Sequence, residues 1–161
     1  MSTATTTDVH QLLTPEAVRI GLAGGTKKAV INQLIDVLSG HSAISSLETV
    51  REAVFEREGV MSTGVGKMLG LPHAKTAAAT ETVAAFATTD EPVDFGAIDD
   101  QPVRMMFLLV GPASDKSRHI KILGRISRLV SRDSLREKLL NVKSPDEVIQ
   151  ILKASEAELR G

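Results

Sequence analysis

A glycine-rich stretch, Ser62 to Thr76 (STGVGKMLGLPHAKT), contains the first side chain whose type suggests chemistry, a single histidine. Three glycines, Gly64, Gly66 and Gly70, fall within a span of seven residues, and Pro72 directly precedes His73. Glycine permits positive φ angles and close backbone approach, and proline fixes its own φ and removes one hydrogen-bond donor. We therefore expect an irregular backbone path that points the His73 imidazole outward, with the rest of the chain as its scaffold.

Two other side chains are placed where predicted elements end or begin. Arg57 falls at the C-terminal end of a predicted helix, where the helix dipole favours a cation, so an ordinary surface charge also explains it. His119 falls on the apolar stripe of a later helix, where an isolated histidine is most simply a core residue bonded to a backbone carbonyl. That helix directly follows the strongest predicted strand, and sites in open α/β sheets gather at the carboxyl ends of strands. Both interpretations of His119 stay open from the residues alone.

Several familiar catalytic motifs are missing from the sequence. Gly66-Lys67 is followed by Met68, whereas a P-loop requires Ser or Thr there. The sequence has no G-x-S-x-G elbow and no cysteine, and its histidines are too few for a ligand cluster, so we expect neither a metal nor another cofactor. Asp99 and Asp100 are adjacent, and neighbours on an extended segment point opposite ways, so we expect a solvated turn rather than a shared site.

Length and composition favour one globular domain. With 161 residues, 42% of them apolar, the chain can bury a sizeable core. The formal net charge of −1 argues against nucleic-acid binding, and four phenylalanines as the only aromatic residues argue against stacking on bases or sugars. No apolar run approaches the roughly 18 residues of a membrane span, and nothing resembles a signal peptide. We therefore expect a cytoplasmic protein without direct membrane insertion.

The chain ends and the remaining histidines carry weaker signals. Residues 1–7 are rich in Ser and Thr without an apolar anchor, and we expect a disordered N-terminal tail there. The domain is expected to span residues 8–161. His10 and His41 are interpreted as solvent-exposed loop histidines.

Apolar periodicity predicts strands that alternate with helices. The strongest strand covers 103–110 and is almost continuously apolar, as expected for a strand covered on both faces. The helix that follows, capped by Ser114 or Asp115, carries His119. Strands interleaved with helices predict an α/β fold: a single domain with a mixed β-sheet flanked by helices on both faces. The other predicted elements are strands at 18–22 and 82–88, helices opened by Thr26, Ser46 and Ser144, a short helix within 131–141, and an acidic turn over 90–101.

The glycine-rich stretch also resembles the phosphorylation-site motif of the fructose/mannitol-type enzyme IIA domains of the bacterial phosphotransferase system. That family includes the stand-alone nitrogen-regulatory IIA proteins. The resemblance runs from about Asp8 to Leu159, nearly the whole chain. The segments that carry it are Arg57-Glu58, Ser62 to Gly66, Leu71-Pro72-His73, Pro92 to Phe95, Asp99 to Val103, Phe107 to Pro112 and His119-Ile120.

The resemblance implies a phosphocarrier. It implies that His73 accepts a phosphoryl group from the histidine phosphocarrier protein and passes it to a cysteine on a IIB domain, with Arg57 and His119 beside it. Histidine suits this chemistry because its unperturbed pKa of about 6.5 leaves it largely neutral near pH 7. Cationic and hydrogen-bond donors must then hold the phosphoryl oxygens. The donors expected in the glycine-rich stretch are Ser62, Thr63, Gly64 and Gly66.

Two departures from the family pattern leave the subfamily open. Gly66-Lys67-Met68 stands where nitrogen-regulatory members usually have Gly-Asn-Gly, and Ala74 stands where they usually have glycine. Fructose-type members more often carry lysine and alanine there, whereas the segment Asp99 to Val103 is closer to the nitrogen-regulatory group. The alternative to a carrier is a regulatory protein whose phosphorylation state controls binding to a kinase or transporter without onward transfer. A third alternative is a pseudo-carrier that only binds an anion at the glycine-rich stretch.

Overall fold

The computed structural model describes residues 8–23, 25–60, 62–97 and 99–160. The predicted tail 1–7, the predicted break at Gly24 and the last residue of the predicted domain, Gly161, lie outside the described residues. Two short 3-10 helices, Val9–Leu12 and Pro15–Ala17, open the described chain. The described strands are β1 (Val18–Leu22), β2 (Gly64–Gly66), β3 (Leu69–Gly70), β4 (His73–Thr76), β5 (Val83–Val93) and β6 (Val103–Pro112). The described α-helices are α1 (Lys27–Asp36), α2 (Leu47–Val60), α3 (Lys116–Val130), α4 (Asp133–Leu140) and α5 (Pro145–Arg160).

The described strands form one mixed sheet in the order β1-β5-β6-β3-β2, with β4 also paired to β6. β5 and β6 are antiparallel, and β1 runs parallel to β5. β3 and β4 lie end to end along the other side of β6, both parallel to it, with β4 opposite Leu109 to Pro112. The predicted mixed sheet is confirmed, and β4 borders the last residues of the apolar strand β6.

Helices cover both faces of the sheet, as predicted. Because successive strand side chains point to opposite faces, β6 divides its apolar residues between two cores. Met106, Leu108 and Val110 pack with the helices α1 and α2. The alternate residues, whose side chains point to the other face, pack with α3, α4 and α5; they are Met105, Phe107 and Leu109. Among the described residues, none of the helices is both long and apolar enough to cross a membrane.

Polar N-caps start four of the five described α-helices, at the predicted positions; α4, which follows Arg132, has no side-chain cap. A side-chain oxygen of each cap accepts a hydrogen bond from the amide three residues on, which satisfies one of the orphan donors of a helix N-terminus. The capping box at Ser144 is complete, because Glu147 Oε1 accepts from the Ser144 amide at 3.1 Å. The four caps, each with the residue whose amide donates to it, are Thr26 with Ala29 at 3.1 Å, Ser46 with Thr49 at 3.2 Å, Asp115 with Arg118 at 3.3 Å and Ser144 with Glu147 at 3.3 Å.

The acidic segment is less turn-like than predicted. β5 continues to Val93, so the turn predicted over 90–101 is wrong for its first four residues. The pairing of β5 with β6 shifts register between Thr88 and Val93, and Val93 pairs again with Val103. A bulge of this kind accommodates Pro92, which cannot donate to the ladder. β6 likewise runs to Pro112, past the predicted end at 110, because β4 pairs with it there.

The N-terminal 3-10 helix is anchored by a buried carboxylate on α5. Glu156 is fully buried and accepts hydrogen bonds from the Val9 amide at 2.7 Å and the His10 amide at 2.9 Å. The His10 Nδ1 atom lies 2.8 Å from the same carboxylate, and Arg125 Nη1 lies 3.7 Å from it. The interpretation of His10 as an exposed loop histidine is therefore wrong, whereas His41 is exposed in a turn as predicted.

Candidate functional site

The glycine-rich stretch folds into β2, β3 and β4 rather than into a wholly irregular loop. β2 and β3 form a hairpin whose two-residue turn, Lys67 and Met68, has φ angles of 57° and 65°. Positive φ at both central positions is the type I′ geometry that matches the twist of paired strands. Leu71 and Pro72 then separate β3 from β4, so His73 begins a new strand opposite Leu109 of β6.

The His73 ring is oriented by the main chain. Its Nδ1 atom lies 2.8 Å from the Leu71 carbonyl oxygen. A carbonyl oxygen only accepts hydrogen bonds, so the Nδ1 atom must carry the proton. The Nε2 atom of the neutral ring is therefore left with its lone pair. The half-buried imidazole thus presents one defined unprotonated nitrogen.

His119 lies on the core side of α3 beside His73, as the family resemblance implied. The two ring centroids are 5.6 Å apart, and the ring planes are tilted by 47°. His119 is only 3% exposed, and neither of its ring nitrogens has a hydrogen-bond partner among the described residues. The alternative of a core histidine bonded to a backbone carbonyl is therefore wrong. Buried polar atoms without partners are rare, and here they lie next to a cavity.

The histidines share a cavity of about 470 Å³ with Arg57, which lies in the last turn of α2. The cavity opens at the β4 side of the sheet, between α2 on one face and α3 on the other. Both cores therefore contribute to its walls. Its lining residues are Ala53, Glu56, Arg57, Val60, His73, Ala74, Lys75, His119, Ile120 and Leu123. The three catalytic candidates predicted from the sequence are thus brought together.

Burial keeps both imidazoles neutral near pH 7. For His119, burial is the largest cause, the charges of His73 and Lys75 add to it, and together they lower its pKa to about 4. Burial also lowers the pKa of His73 below its ordinary value, although the Leu71 hydrogen bond opposes this and the Arg57 charge adds to it. A charged imidazole loses more hydration on burial than a neutral one, which explains the direction of both shifts.

The four predicted phosphoryl-binding residues do not line this cavity. Ser62 Oγ donates to the Phe95 carbonyl oxygen at 2.6 Å and accepts from the Gly64 amide at 3.0 Å. Thr63 is buried, and both its amide and its hydroxyl donate to Glu58. Gly66 has a φ angle of 95° and belongs to the hairpin. The Ser62, Thr63 and Gly64 donors are therefore bonded within the protein. The role of the four residues in phosphoryl binding stays a prediction.

Two charged residues near the site were missed by the sequence reasoning. Glu58 is buried, and its carboxylate also lies 2.5 Å from Lys27 Nζ, so it fastens α1 and the glycine-rich stretch to the end of α2. No sequence signal distinguishes it from an exposed helix-end acid. Lys75 lines the cavity two residues after His73. The signal that could have found Lys75 was its position two residues after His73, because residues i and i+2 of a strand share a face.

The adjacent acids Asp99 and Asp100 form the predicted exposed turn. Asp99 accepts hydrogen bonds from the Lys67 and Gln101 amides, each at 3.0 Å, and these bonds hold the pKa of its carboxyl below the ordinary value. Asp99 thereby supports the strained Lys67 turn. In the described part of the chain, no group of three or more His, Asp or Glu side chains is arranged to hold a metal ion.

A mixed α/β domain with two neutral imidazoles and an arginine around one cavity is typical of a histidine-based phosphotransfer component. The chain belongs to the family described as "Phosphoenolpyruvate-dependent sugar phosphotransferase system, EIIA 2", whose profile matches residues 11–155.

Relatives and solved structures agree with this family. A fructose-specific EIIA component from Haloferax volcanii is 34% identical over 146 residues, which cover 91% of this chain and 95% of the relative. The crystal structure of the nitrogen regulatory protein IIA-Ntr from Neisseria meningitidis matches with a TM-score of 0.84 and 32% identity, covering 89% of this chain and 98% of that one. The mannitol enzyme IIA from Escherichia coli, solved in complex with phosphorylated enzyme IIB, shares the fold with a TM-score of 0.77 at 21% identity, covering 88% of this chain and 97% of that one.

Proposed function

We propose that the protein is a phosphocarrier that accepts a phosphoryl group on His73 from the histidine phosphocarrier protein and passes it to a cysteine of a IIB domain. The observation that carries the proposal is the fixed tautomer of His73. The Leu71 carbonyl oxygen accepts the Nδ1–H hydrogen bond at an N···O distance of 2.8 Å, so the Nε2 lone pair is the nucleophile. The lowered pKa of His73 keeps that lone pair unprotonated at neutral pH.

The transfer step requires no proton to move. The Nε2 lone pair of His73 attacks the phosphorus of a phosphohistidine on the donor protein. The new N–P bond forms as the donor's N–P bond breaks, and the electron pair of the broken bond stays on the donor's ring nitrogen. In the second step a cysteine thiolate attacks the same phosphorus, and the electron pair of the His73 N–P bond returns to Nε2. Each step exchanges one bond to phosphorus for another.

Arg57 and His119 have complementary roles in this proposal. The Arg57 guanidinium stabilises the charge on the phosphoryl oxygens and presents a planar fork of donors to them. His119, with a pKa of about 4, remains a neutral imidazole with one N–H to donate. Its unpartnered nitrogens beside the cavity are the reason to assign it a hydrogen bond to the phosphoryl group rather than a purely structural role.

The second candidate is a regulatory protein whose phosphorylation state controls binding to a kinase or transporter. The observation that favours it is the match to the Neisseria IIA-Ntr structure, a protein described as nitrogen regulatory, at 32% identity. The match to a fructose-specific EIIA component, at 34% identity, favours the carrier. The two candidates share phosphorylation of His73 and differ in the fate of the phosphoryl group.

The first experiment is incubation with phosphoenolpyruvate, enzyme I and the histidine phosphocarrier protein, followed by intact-mass measurement. The wild type should gain the mass of one phosphoryl group, and the bond should be acid-labile. His73→Ala should gain nothing, while the matched control His41→Ala, changed in an exposed turn, should behave like the wild type. An acid-labile phosphoryl group on His73→Ala would refute the assignment.

Variants of the neighbouring residues then test the division of roles. Arg57→Ala should slow phosphorylation while changing the free energy of unfolding by only about 0.5 kcal/mol, because its side chain is not in the core. His119→Gln should keep partial activity, since the amide can still donate, and His119→Ala should lose more. Equal rates in Gln and Ala variants would contradict the hydrogen-bond role.

Addition of a purified IIB domain to the phosphorylated protein separates the two candidate functions. A carrier loses its phosphoryl group to the IIB cysteine within the time of a normal transfer assay. Retention of the phosphoryl group in the presence of the fructose-type and mannitol-type IIB domains would instead favour the regulatory protein.

A further inference from the structure

Lys75 occupies the same face of β4 as His73. The strand alternates in burial, with Ala74 and Thr76 buried on one side and Lys75 exposed on the other. Residues i and i+2 of a strand lie roughly 7 Å apart on one face, within reach of a lysine side chain. Both side chains line the cavity that also contains His119. The backbone therefore directs the ammonium group of Lys75 toward the space in front of the nucleophile.

No carboxylate neutralises this lysine in the described part of the chain. Lys27, at the start of α1, forms an ion pair with Glu58 at 2.5 Å, whereas the side chain of Lys75 takes part in none of the ion pairs or side-chain hydrogen bonds that the described residues make. Its charge nevertheless reaches the site, because it contributes to the lowered pKa values of both His73 and His119. An ammonium group with no protein partner beside a nucleophile is available to an anion.

The charges around the cavity leave a deficit that Lys75 would fill. A phosphoryl group carries roughly −1.5 to −2 charges at pH 7. Arg57 supplies one positive charge from α2, His119 is neutral, and Glu56 on the same helix contributes a negative charge to the cavity wall. Glu58, close behind Arg57, is already paired with Lys27. One arginine alone therefore leaves the phosphoryl group undercompensated.

We propose that Lys75 is the second cation of the site, which contacts the phosphoryl oxygens on His73 and selects for a doubly charged group there. Arg57 and Lys75 then flank the phosphoryl group from α2 and from β4. Lys75 acts through a point charge on a flexible stem, so it can follow the phosphoryl group during transfer, whereas the planar Arg57 fork is fixed. This inference rests on the proposed phosphorylation of His73.

The test compares Lys75→Gln with Lys75→Arg and with Lys121→Gln. Lys121 is an exposed lysine on α3 that does not line the cavity, so its replacement makes the same change in net charge away from the site. Lys75→Gln should reduce the phosphorylation rate roughly fivefold, the size expected for a solvent-exposed charge contact, and Lys75→Arg should restore most of it. Lys121→Gln should stay near the wild-type rate.

Two titrations report on Lys75 separately from the rate. In the unphosphorylated protein, Lys75→Gln should raise the pKa values of His73 and His119 seen by NMR, because a nearby positive charge has been removed. In the phosphorylated protein, the second pKa of the phosphoryl group followed by ³¹P NMR should rise by about half a unit, because its dianion loses a cation.

The outcomes separate this inference from the proposed function. If the wild type accepts no phosphoryl group from the histidine phosphocarrier protein, the proposed function fails, and the ³¹P titration on protein phosphorylated with phosphoramidate still tests Lys75. If the wild type is phosphorylated but Lys75→Gln shows an unchanged rate and an unchanged phosphoryl pKa, Lys75 is not a site cation. An equal loss in Lys121→Gln would likewise refute it, since the effect would then come from net charge.

Discussion

Acidification should destabilise the fold through His119. The folded-state pKa of this imidazole is about 4, whereas the unfolded chain binds the same proton near 6.5. Between these values the unfolded state binds more protons than the folded state, so stability is present above pH 6.5 and is lost as the pH falls toward 4. Integrating the two titrations gives a loss of about 2 kcal/mol between pH 7.5 and pH 5.

The perturbation that isolates this contribution is His119→Gln. Other groups also titrate in this range, including His73, whose lowered pKa acts in the same direction. The informative quantity is therefore the difference between wild type and variant in how urea-unfolding free energy changes from pH 7.5 to pH 5. The variant should lose about 2 kcal/mol less than the wild type. His41→Gln is the matched control for replacing a histidine, because His41 is exposed and does not line the cavity.

NMR of the native state provides the refuting result. The Cε1 proton of His119 should keep its neutral chemical shift at pH 5. If it titrates near 6.5, the buried ring is not desolvated in solution, and both the stability argument and the assignment of a neutral donor beside His73 would be wrong.

Three other perturbations test the packing around the site. Gly111→Ala should lower the free energy of unfolding by about 1 kcal/mol and slow phosphorylation, because an added Cβ would lie 3.2 Å from His119 Nδ1. The control Gly124→Ala adds its methyl group in open space on α3 and should raise the melting temperature. Lys67→Asn should stabilise the fold by roughly 0.5 to 1 kcal/mol, since asparagine tolerates positive φ better, and an unchanged urea midpoint would count against turn strain. Glu156→Gln should cost about 2 kcal/mol in the same urea assay, because a buried charge that binds two backbone amides is lost; retention of wild-type stability would contradict this.

The sequence supports the fold wherever local signals and burial agree. The run over 103–110 became the central β6, and the α3 stripe correctly placed His119 on the core side. The β5 strand was underestimated because Pro92 normally marks a turn, and only its partner β6 shows that a bulge absorbs it. The proximity of His73 and His119 was implied by the family resemblance, and the structure shows its basis: His73 begins a strand beside β6, and His119 lies in the helix after β6.

The glycine-rich stretch shows why the rest of the site could not be predicted. Serine, threonine and glycine can all donate hydrogen bonds to a phosphoryl group by residue type, but here the Ser62 and Thr63 hydrogen bonds go to Phe95 and Glu58. Neither partner is a sequence neighbour in a recognisable motif. Which donors are left for a ligand depends on tertiary hydrogen bonding, and a single sequence does not record it. The same reason concealed Glu58, whose ion-pair partner Lys27 belongs to another helix.

The hydrogen bond that orients His73 has a consequence for mutational tolerance. Its acceptor is a main-chain oxygen of Leu71, so no substitution at position 71 can remove it. Point mutations there are constrained only by the buried apolar side chain. Single-residue insertions or deletions between Gly70 and His73 should be far more harmful, because they move the carbonyl relative to the ring. In a mutational scan the nucleophile's tautomer should therefore be robust to substitution and fragile to changes in chain length.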